Sequence, residues 1–276
     1  RAAELARSNA ELEQYAYVAS HDLQEPLRMV TNFVQLLEHR YKGRLDHDAD
    51  EFISYAVEGS ARMLSLIQGL LAYARERARP LEPQVVELAA VVDAARRQLD
   101  ARVSETSAHI EIGNLPAIRM DEEQAVRLFQ NLLANALMFR RPGESPRIII
   151  SAERAGSARD GEASGSREGW VVSVEDNGIG IEPEHRERVF QIFQRLHRRE
   201  EYPGTGMGLA ISRKIIERHG GTIWVEGAPG GGSIFRFTVP AEQRSEPPVQ
   251  HAREGEVVKQ SAAEPPVGTL VTPRQA

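Results

Sequence analysis

In the run VASHDLQEPLR, residues 18–28, an imidazole, a carboxylate and a proline stand close together. A neutral imidazole is a nucleophile at ordinary pH, and a carboxylate bonded to one ring nitrogen fixes the tautomer and leaves the other nitrogen to attack. His21 and Asp22 are adjacent and suit those two roles. At about 100° per residue, His21 falls on the far side of a helix from Ala16, Ala19, Leu23 and Pro26, so it faces solvent. Tyr17, Glu25 and Arg28 share its polar stripe. Pro26 has no N–H to offer the carbonyl of Asp22, which frees that oxygen and bends the helix beside the histidine. Taken alone, a histidine beside an aspartate is most often a solvated helix face, so the rest of the chain has to decide.

Three further clusters have the chemistry of a nucleotide site. DEEQAVRLFQNLLANALMFR places Asn131 and Asn135 one turn apart on a helix, away from its apolar stripe. An amide oxygen suits Mg²⁺ that already holds phosphates and water. VSVEDNGIGI is a strand running into Asp176, Gly178 and Gly180; a carboxylate there can accept from an exocyclic amine while glycines admit a flat base. Gly204, Thr205, Gly206 and Gly208 then lead through Leu209 into an amphipathic helix whose free N-terminal amides form an anion pocket. The spacing is neither G-x-G-x-x-G after a strand nor a P-loop.

These residues need elements to hold them. Leu5, Asn9, Leu12, Ala16, Ala19, Leu23, Pro26, Val30, Phe33 and Leu37 recur at alternating steps of four and three, a bundle seam. A polar link containing Asp48 and Asp50 as candidate helix caps follows, and the seam resumes as Ile53, Ala56, Ser60, Met63, Ile67, Leu70 and Ala74. Such a hairpin leaves apolar surface wet, and a four-helix dimer completes it. RARPLEP breaks the pattern as a linker. Beyond it, helical patterns at Leu88–Val103, Glu122–Arg140 and Leu209–His219 alternate with the strand-like runs RIIISAE, WVVSVED, GTIWVEG and SIFRFTV. The fold class is α+β with a mostly antiparallel sheet. The polar stretch after Arg154 reads as a floppy hairpin loop, and the Pro-, Glu- and Gln-rich residues 241–276 read as a disordered tail. The expected division is 1–79 helical hairpin, 80–86 linker, 87–240 α/β domain and 241–276 tail.

Composition narrows the classes further. With no cysteine there are no disulfides or thiolate sites, and a cytoplasmic location follows most simply. The net charge of −6 argues against a nucleic-acid surface, and no run is long and apolar enough to span a bilayer. A chain beginning at Arg1 suggests a piece of a longer protein. Lysine is scarce: Lys42, Lys214 and Lys259 are the only ones.

Together these motifs resemble the transmitter module of a bacterial sensor histidine kinase. SHDLQEPLR resembles its phosphoacceptor box and NLLANALMF its N box. DNGIGI, GTGMGLA and GGGSIFRF resemble its glycine boxes, and VFQIFQRL its phenylalanine box. The match covers about residues 8–240, and its wording is most similar to kinases attached to bacterial phytochromes and related photosensors. The resemblance implies a dimerising helical hairpin followed by an ATP-binding α/β sandwich of the histidine kinase, gyrase and chaperone type. It implies that His21 is phosphorylated and that Asp22 orients and deprotonates it. ATP would be held by Asn131, Asn135, Asp176, Gly178, Gly180, Gly204, Thr205, Gly206, Gly208 and Leu209, with Mg²⁺ on Asn135 and the lid anchored by Phe190 and Phe193. It further implies a homodimer, a sensor domain upstream in the same chain, and an aspartate of a response-regulator receiver domain as the next acceptor. Two positions depart from the pattern. Met138, followed by Arg140 and Arg141, stands where a lysine is common; Glu25 replaces the Thr or Asn of members that are also phosphatases. An ATP-hydrolysing relative would carry a glutamate base one turn before Asn135, where this chain has Asn131, which cannot take a proton at neutral pH. A nucleotide-binding docking module without kinase activity is the other alternative.

Overall fold

The computed structural model describes residues 23–78, 80–155, 169–196, 202 and 204–240, with the side chains of 74–78 excepted. His21, Asp22, the first half of the seam, the loop at 156–168 and the tail lie outside the described residues.

Helix α1 runs over 23–41 and is followed by a short turn and α2, His47–Ala78. Asp46, rather than Asp48 or Asp50, caps α2: its Oδ1 accepts from the N–H of Ala49 at 2.8 Å. Asp50 instead closes the turn by accepting from the N–H of Gly43 at 2.8 Å. The two helices bury small residues midway, Thr31 and Ser60, whose hydroxyls donate to carbonyls of their own helices. The apolar heptad residues of α1 lie elsewhere: Leu23, Val30, Phe33 and Leu37 are all exposed.

Strand β1 (Gln84–Glu87) pairs antiparallel with β3 (Ala117–Met120), so residues 84–86, expected as linker, already belong to the α/β unit. The strand is four residues long and exposed on most positions, which gives it little hydrophobic signal. The single helix expected over Leu88–Val103 is two, α3 (Leu88–Gln98) and α4 (Asp100–Thr106), broken at Leu99, whose backbone is non-helical while its side chain is buried. The larger sheet has the order β2 (His109–Ile112), β4 (Arg147–Arg154), β5 (Gly169–Asp176), β7 (Ser233–Pro240), β6 (Ile223–Gly227). Its β2–β4 pair is parallel and the other three are antiparallel.

One face of this sheet carries Ile148, Ile150, Val172, Val174, Val225, Phe235, Phe237 and Val239, all buried. Helices α3, α5 (Glu122–Met138) and α6 (Gly208–Arg218) close over it, with Phe129 of α5 edge-on to Phe237 at 5.8 Å. Asp121 caps α5 by accepting from the N–H of Gln124 at 3.1 Å. Gln124, three residues after Asp121, has the spacing of a capping box, but its reciprocal half does not form. The N–H of Asp121 donates to Nε2 of buried His219 at 3.1 Å, and the Gln124 amide makes no hydrogen bond. Nδ1 of His219 lies 2.7 Å from the carbonyl of Ile215, so this tautomer carries its proton there, and burial holds its pKa below the usual histidine range.

Helix α2 packs on α6 at one tight point. A Cβ on Gly69 would fall 2.6 Å from Cγ of Met207, the buried residue immediately before α6. Gly69→Val is therefore expected to part the hairpin from the α/β unit, since overpacking of this kind costs about 1–3 kcal/mol. Limited proteolysis within 80–83 reads the outcome: faster cleavage with an unchanged melting profile of the α/β unit supports the contact, and wild-type cleavage refutes it.

Candidate functional site

A cavity of about 710 Å³ opens between α5, the end of β5 and the N-terminal end of α6. Strand alternation explains its most distinctive residue. Val172, Val174 and Asp176 occupy every second position of β5, and Asp176 is register partner to the buried Ile148, so the period that points valines into the core also points a carboxylate there. Its Oδ1 accepts from the N–H of Gly178 at 2.8 Å and of Ser233 at 3.2 Å. Among the described residues nothing donates to Oδ2, and Asp176 lines the cavity. Burial pushes its pKa up to about 6, against the two backbone donors that lower it; Glu175 adds to the rise and Arg141 opposes it.

The last glycine run is what allows this. A Cβ on Gly232, at φ 98°, would collide with the carbonyl of Asp176, so only glycine lets β7 start close enough for the N–H of Ser233 to reach the carboxylate. Gly206 has a parallel role at the other end of the cavity: at φ 72° its Cβ would meet the carbonyl of Gln194 at 2.7 Å.

The cavity wall brings together Asn135, Asp176, Gly180, Gly204, Thr205, Gly206, Gly208 and Leu209 of the expected set. Asn131 and Gly178 are not in the wall. The amide of Asn131 donates to the carbonyl of Gly208 at 3.1 Å, and the hydroxyl of Ser212 donates to the same oxygen at 3.0 Å. Asn131 therefore ties α5 to the start of α6. Gly178 holds Asp176 from behind through its N–H. Phe190 is buried and edge-on to Phe235 at 6.4 Å, with the Arg213 guanidinium 4.7 Å from its ring centroid. Phe193 is not an anchor: it is 45% exposed and sits at φ 63°.

Sequence reasoning gave no role to several residues of the wall. Arg102, Glu105 and Thr106 of α4 reach it, as do Phe139 and Tyr202. Asn177 also stands out: its Oδ1 accepts from the N–H of Arg147 at 2.8 Å and its amide donates to Ser145, fixing the turn beside Asp176. The place of an Asn after the strand-end aspartate was the available signal. Met138 lines the wall near Gly204, as does Arg140.

A buried carboxylate with one free oxygen at a strand end, facing glycines that precede a helix N-terminus, is suited to an adenine at one end and phosphates at the other. Comparison with known proteins bears out that class. Residues 120–243 match the family described as "Histidine kinase-, DNA gyrase B-, and HSP90-like ATPase", and residues 11–79 match the "His Kinase A (phospho-acceptor) domain". The chain thus carries a match to the phospho-acceptor domain followed by a match to the ATPase domain, the order of a helical hairpin and an ATP-binding α/β sandwich.

Similar proteins include a cyanobacterial phytochrome and a phytochrome-like protein. Cyanobacterial phytochrome A of Nostoc sp. (strain PCC 7120) is 50% identical over 241 residues, 87% of this chain and 30% of that protein. Phytochrome-like protein Cph1 of Synechocystis sp. (strain PCC 6803) is 49% identical over 236 residues, 86% of this chain and 30% of that protein. The chain thus spans about 30% of the length of these relatives. Among solved structures, full-length ShkA in complex with AMPPNP has a TM-score of 0.57 at 26% identity, over 84% of this chain and 47% of that one. No helix among the described residues is long and apolar enough to cross a membrane.

Proposed function

We propose that this chain is the kinase module of a phytochrome-type sensor, and that it autophosphorylates on His21 from ATP before passing the phosphoryl group to an aspartate of a response-regulator receiver domain. The observation that carries the reading is Asp176, a core-facing carboxylate whose one oxygen is held by two backbone amides while the other faces the cavity. Oδ2 accepts from the exocyclic amine of adenine, and Gly180 and Ile181 leave room for the flat base. The triphosphate lies towards Gly204, Thr205, Gly206 and Gly208, where the first amides of α6 point at anionic oxygens.

The donor set in the wall fits a hydrated magnesium ion: the side-chain amide of Asn135 offers one neutral oxygen beside the phosphate end. Asn135 would hold it, and the ion would supply charge neutralisation of the phosphates. Asn131, occupied with Gly208, positions the start of α6. At the acceptor, a ring nitrogen of neutral His21 attacks the γ-phosphorus in line. The N–P bond forms as the bond to the β,γ-bridging oxygen breaks, ADP leaves, and the proton of the other ring nitrogen is drawn to Asp22.

The two phytochrome relatives motivate the wider assembly. A light-sensing domain upstream in the same protein supplies the signal, the hairpins of two copies form a four-helix bundle, and the module works in the cytoplasm. Glu25 in place of Thr or Asn leaves the module a poor phosphatase of its partner.

Incubation of the chain with γ-labelled ATP and Mg²⁺ tests the reading. An acid-labile, alkali-stable label that disappears in His21→Gln is the expected result. Release of free phosphate without label would identify an ATP-hydrolysing relative, and nucleotide binding with neither would identify a docking module; either outcome overturns the kinase assignment.

A further inference from the structure

Two aromatic rings meet at the wall of the cavity, and each belongs to a segment with another duty in the site. Phe139 follows α5 one turn after Asn135, whose carbonyl accepts the Phe139 N–H at 2.9 Å. The carbonyl of Phe139 in turn accepts from the N–H of Ile179 at 3.0 Å, in the turn that carries Asp176 into the glycines. Phe139 is thus fixed at the end of the cavity that reads the base. Tyr202 comes from the opposite side, just before Gly204. Arg195 donates to the carbonyl of Tyr202 at 2.6 Å. The rings of Phe139 and Tyr202 lie 5.0 Å apart between centroids at an interplanar angle of 37°, and Phe139, Arg195, Tyr202 and Gly204 all line the cavity.

Rings at roughly this separation attract one another, and a purine offers the same kind of π-face. The glycines from 204 onward offer backbone amides to phosphates, but they have no side chain with which to sense a base. Tyr202 supplies the missing contact, because it stands in sequence beside those glycines and in space against Phe139, whose carbonyl is bonded to the base-reading turn.

We propose that Tyr202 is a base-binding residue. Its ring, seated on Phe139 while Arg195 holds the backbone carbonyl of the same residue, covers the purine that Asp176 reads. This rests on the ATP-binding reading above and deepens it. The phosphate end alone does not then retain the nucleotide; retention depends on an aromatic contact with the base. Two consequences separate this role from a merely structural one. The contact is made by the ring and not the hydroxyl, so Tyr202→Phe preserves it. It belongs to the base and not the phosphates, so losing it weakens adenosine and ATP by the same factor.

The test uses the full chain and a fluorescent N-methylanthraniloyl ATP, with release followed by stopped flow and adenosine and ATP as competitors. Tyr202→Ala is expected to release the nucleotide about tenfold faster and to weaken both competitors about tenfold, a typical scale for one base–aromatic contact. Tyr202→Phe is expected to stay within about twofold of wild type. Tyr202 is half-buried at the cavity rim, and melting without nucleotide checks that Tyr202→Ala is folded. Wild-type affinity for both competitors in Tyr202→Ala overturns the inference, and so does a loss confined to ATP, which would put the ring at the phosphates. In either case the wild-type chain still binds the probe and labels His21, so the kinase reading stands. A wild-type chain that binds no probe at all overturns both.

Discussion

Asp176→Asn is expected to weaken adenine-nucleotide binding by roughly 10- to 150-fold, the span of a hydrogen bond to a charged, buried group worth about 1.5–3 kcal/mol. Asparagine keeps the shape and one oxygen, so it can satisfy the N–H groups of Gly178 and Ser233 as Asp176 does. That leaves an NH₂ group facing the cavity, and a donor there meets the donor of the adenine amine. Isothermal titration with ATP and with adenosine reads the effect, and equal losses for the two place it at the base. Wild-type affinity in Asp176→Asn would mean that the carboxylate reads nothing.

The same residue sets a pH dependence whose sign follows from its environment. Burial raises the Asp176 pKa from 3.8 to about 6, so the free protein holds a carboxylate above that value and a neutral acid below it. Nucleotide affinity should be flat above neutrality and decline as pH falls through about 6, and the decline should be absent in Asp176→Asn. Stability runs the other way. A group whose folded pKa is raised favours the folded state most below its unfolded value, and this contribution is lost as pH rises through about 6. At pH 8 the ionised Asp176 therefore burdens the fold, and Asp176→Asn should melt at or above the wild-type temperature without nucleotide. A variant that binds worse and is no less stable is the mark of a binding residue held at a cost to the fold.

Why Asp176 was legible while other parts were not comes down to range. The period of two in WVVSVED sets a carboxylate on the core side from sequence alone, and the glycines at 178 and 180 mark the turn. The heptad in α1 is likewise a local pattern, and the described part of it, Leu23, Val30, Phe33 and Leu37, is left exposed. What escaped was decided by partners far away in the chain. Gln124 has the spacing of a capping box, but the N–H it should meet, that of Asp121, is taken by His219, 98 positions beyond Asp121. Asn131 resembles a phosphate ligand until its amide is seen on the carbonyl of Gly208, 77 positions on. Tyr202 carries no periodic or spacing signal at all; only the fold sets it against Phe139. Strand β1 was lost for a different reason, being four residues long with Val86 alone buried.

The second large effect concerns the stalk. Leu23 at 56%, Val30 at 50%, Phe33 at 66% and Leu37 at 46% exposure form one face of α1, while Thr31, 5% exposed, is turned away from it. Fully burying a side chain of this size gives about 1.5–3 kcal/mol. A second copy that covers this stripe supplies a large driving force that a single chain leaves unused. Val30→Glu with Phe33→Glu removes two of the four apolar residues and places carboxylates where a partner's apolar side chains would lie, a burial that costs far more than it returns. The double variant is expected to run as a monomer by light scattering at concentrations where wild type is dimeric, a shift in the dissociation constant on the order of a thousandfold or more. Its affinity for ATP should not change, because neither residue touches the cavity wall. Phosphate uptake at His21 should fall, since that histidine stands two positions before the described start of α1 in the sequence, and the stalk loses its packed partner. If the variant remains dimeric, the seam read from the heptad is not the dimer interface, and the exposed apolar face of α1 meets something other than a second copy.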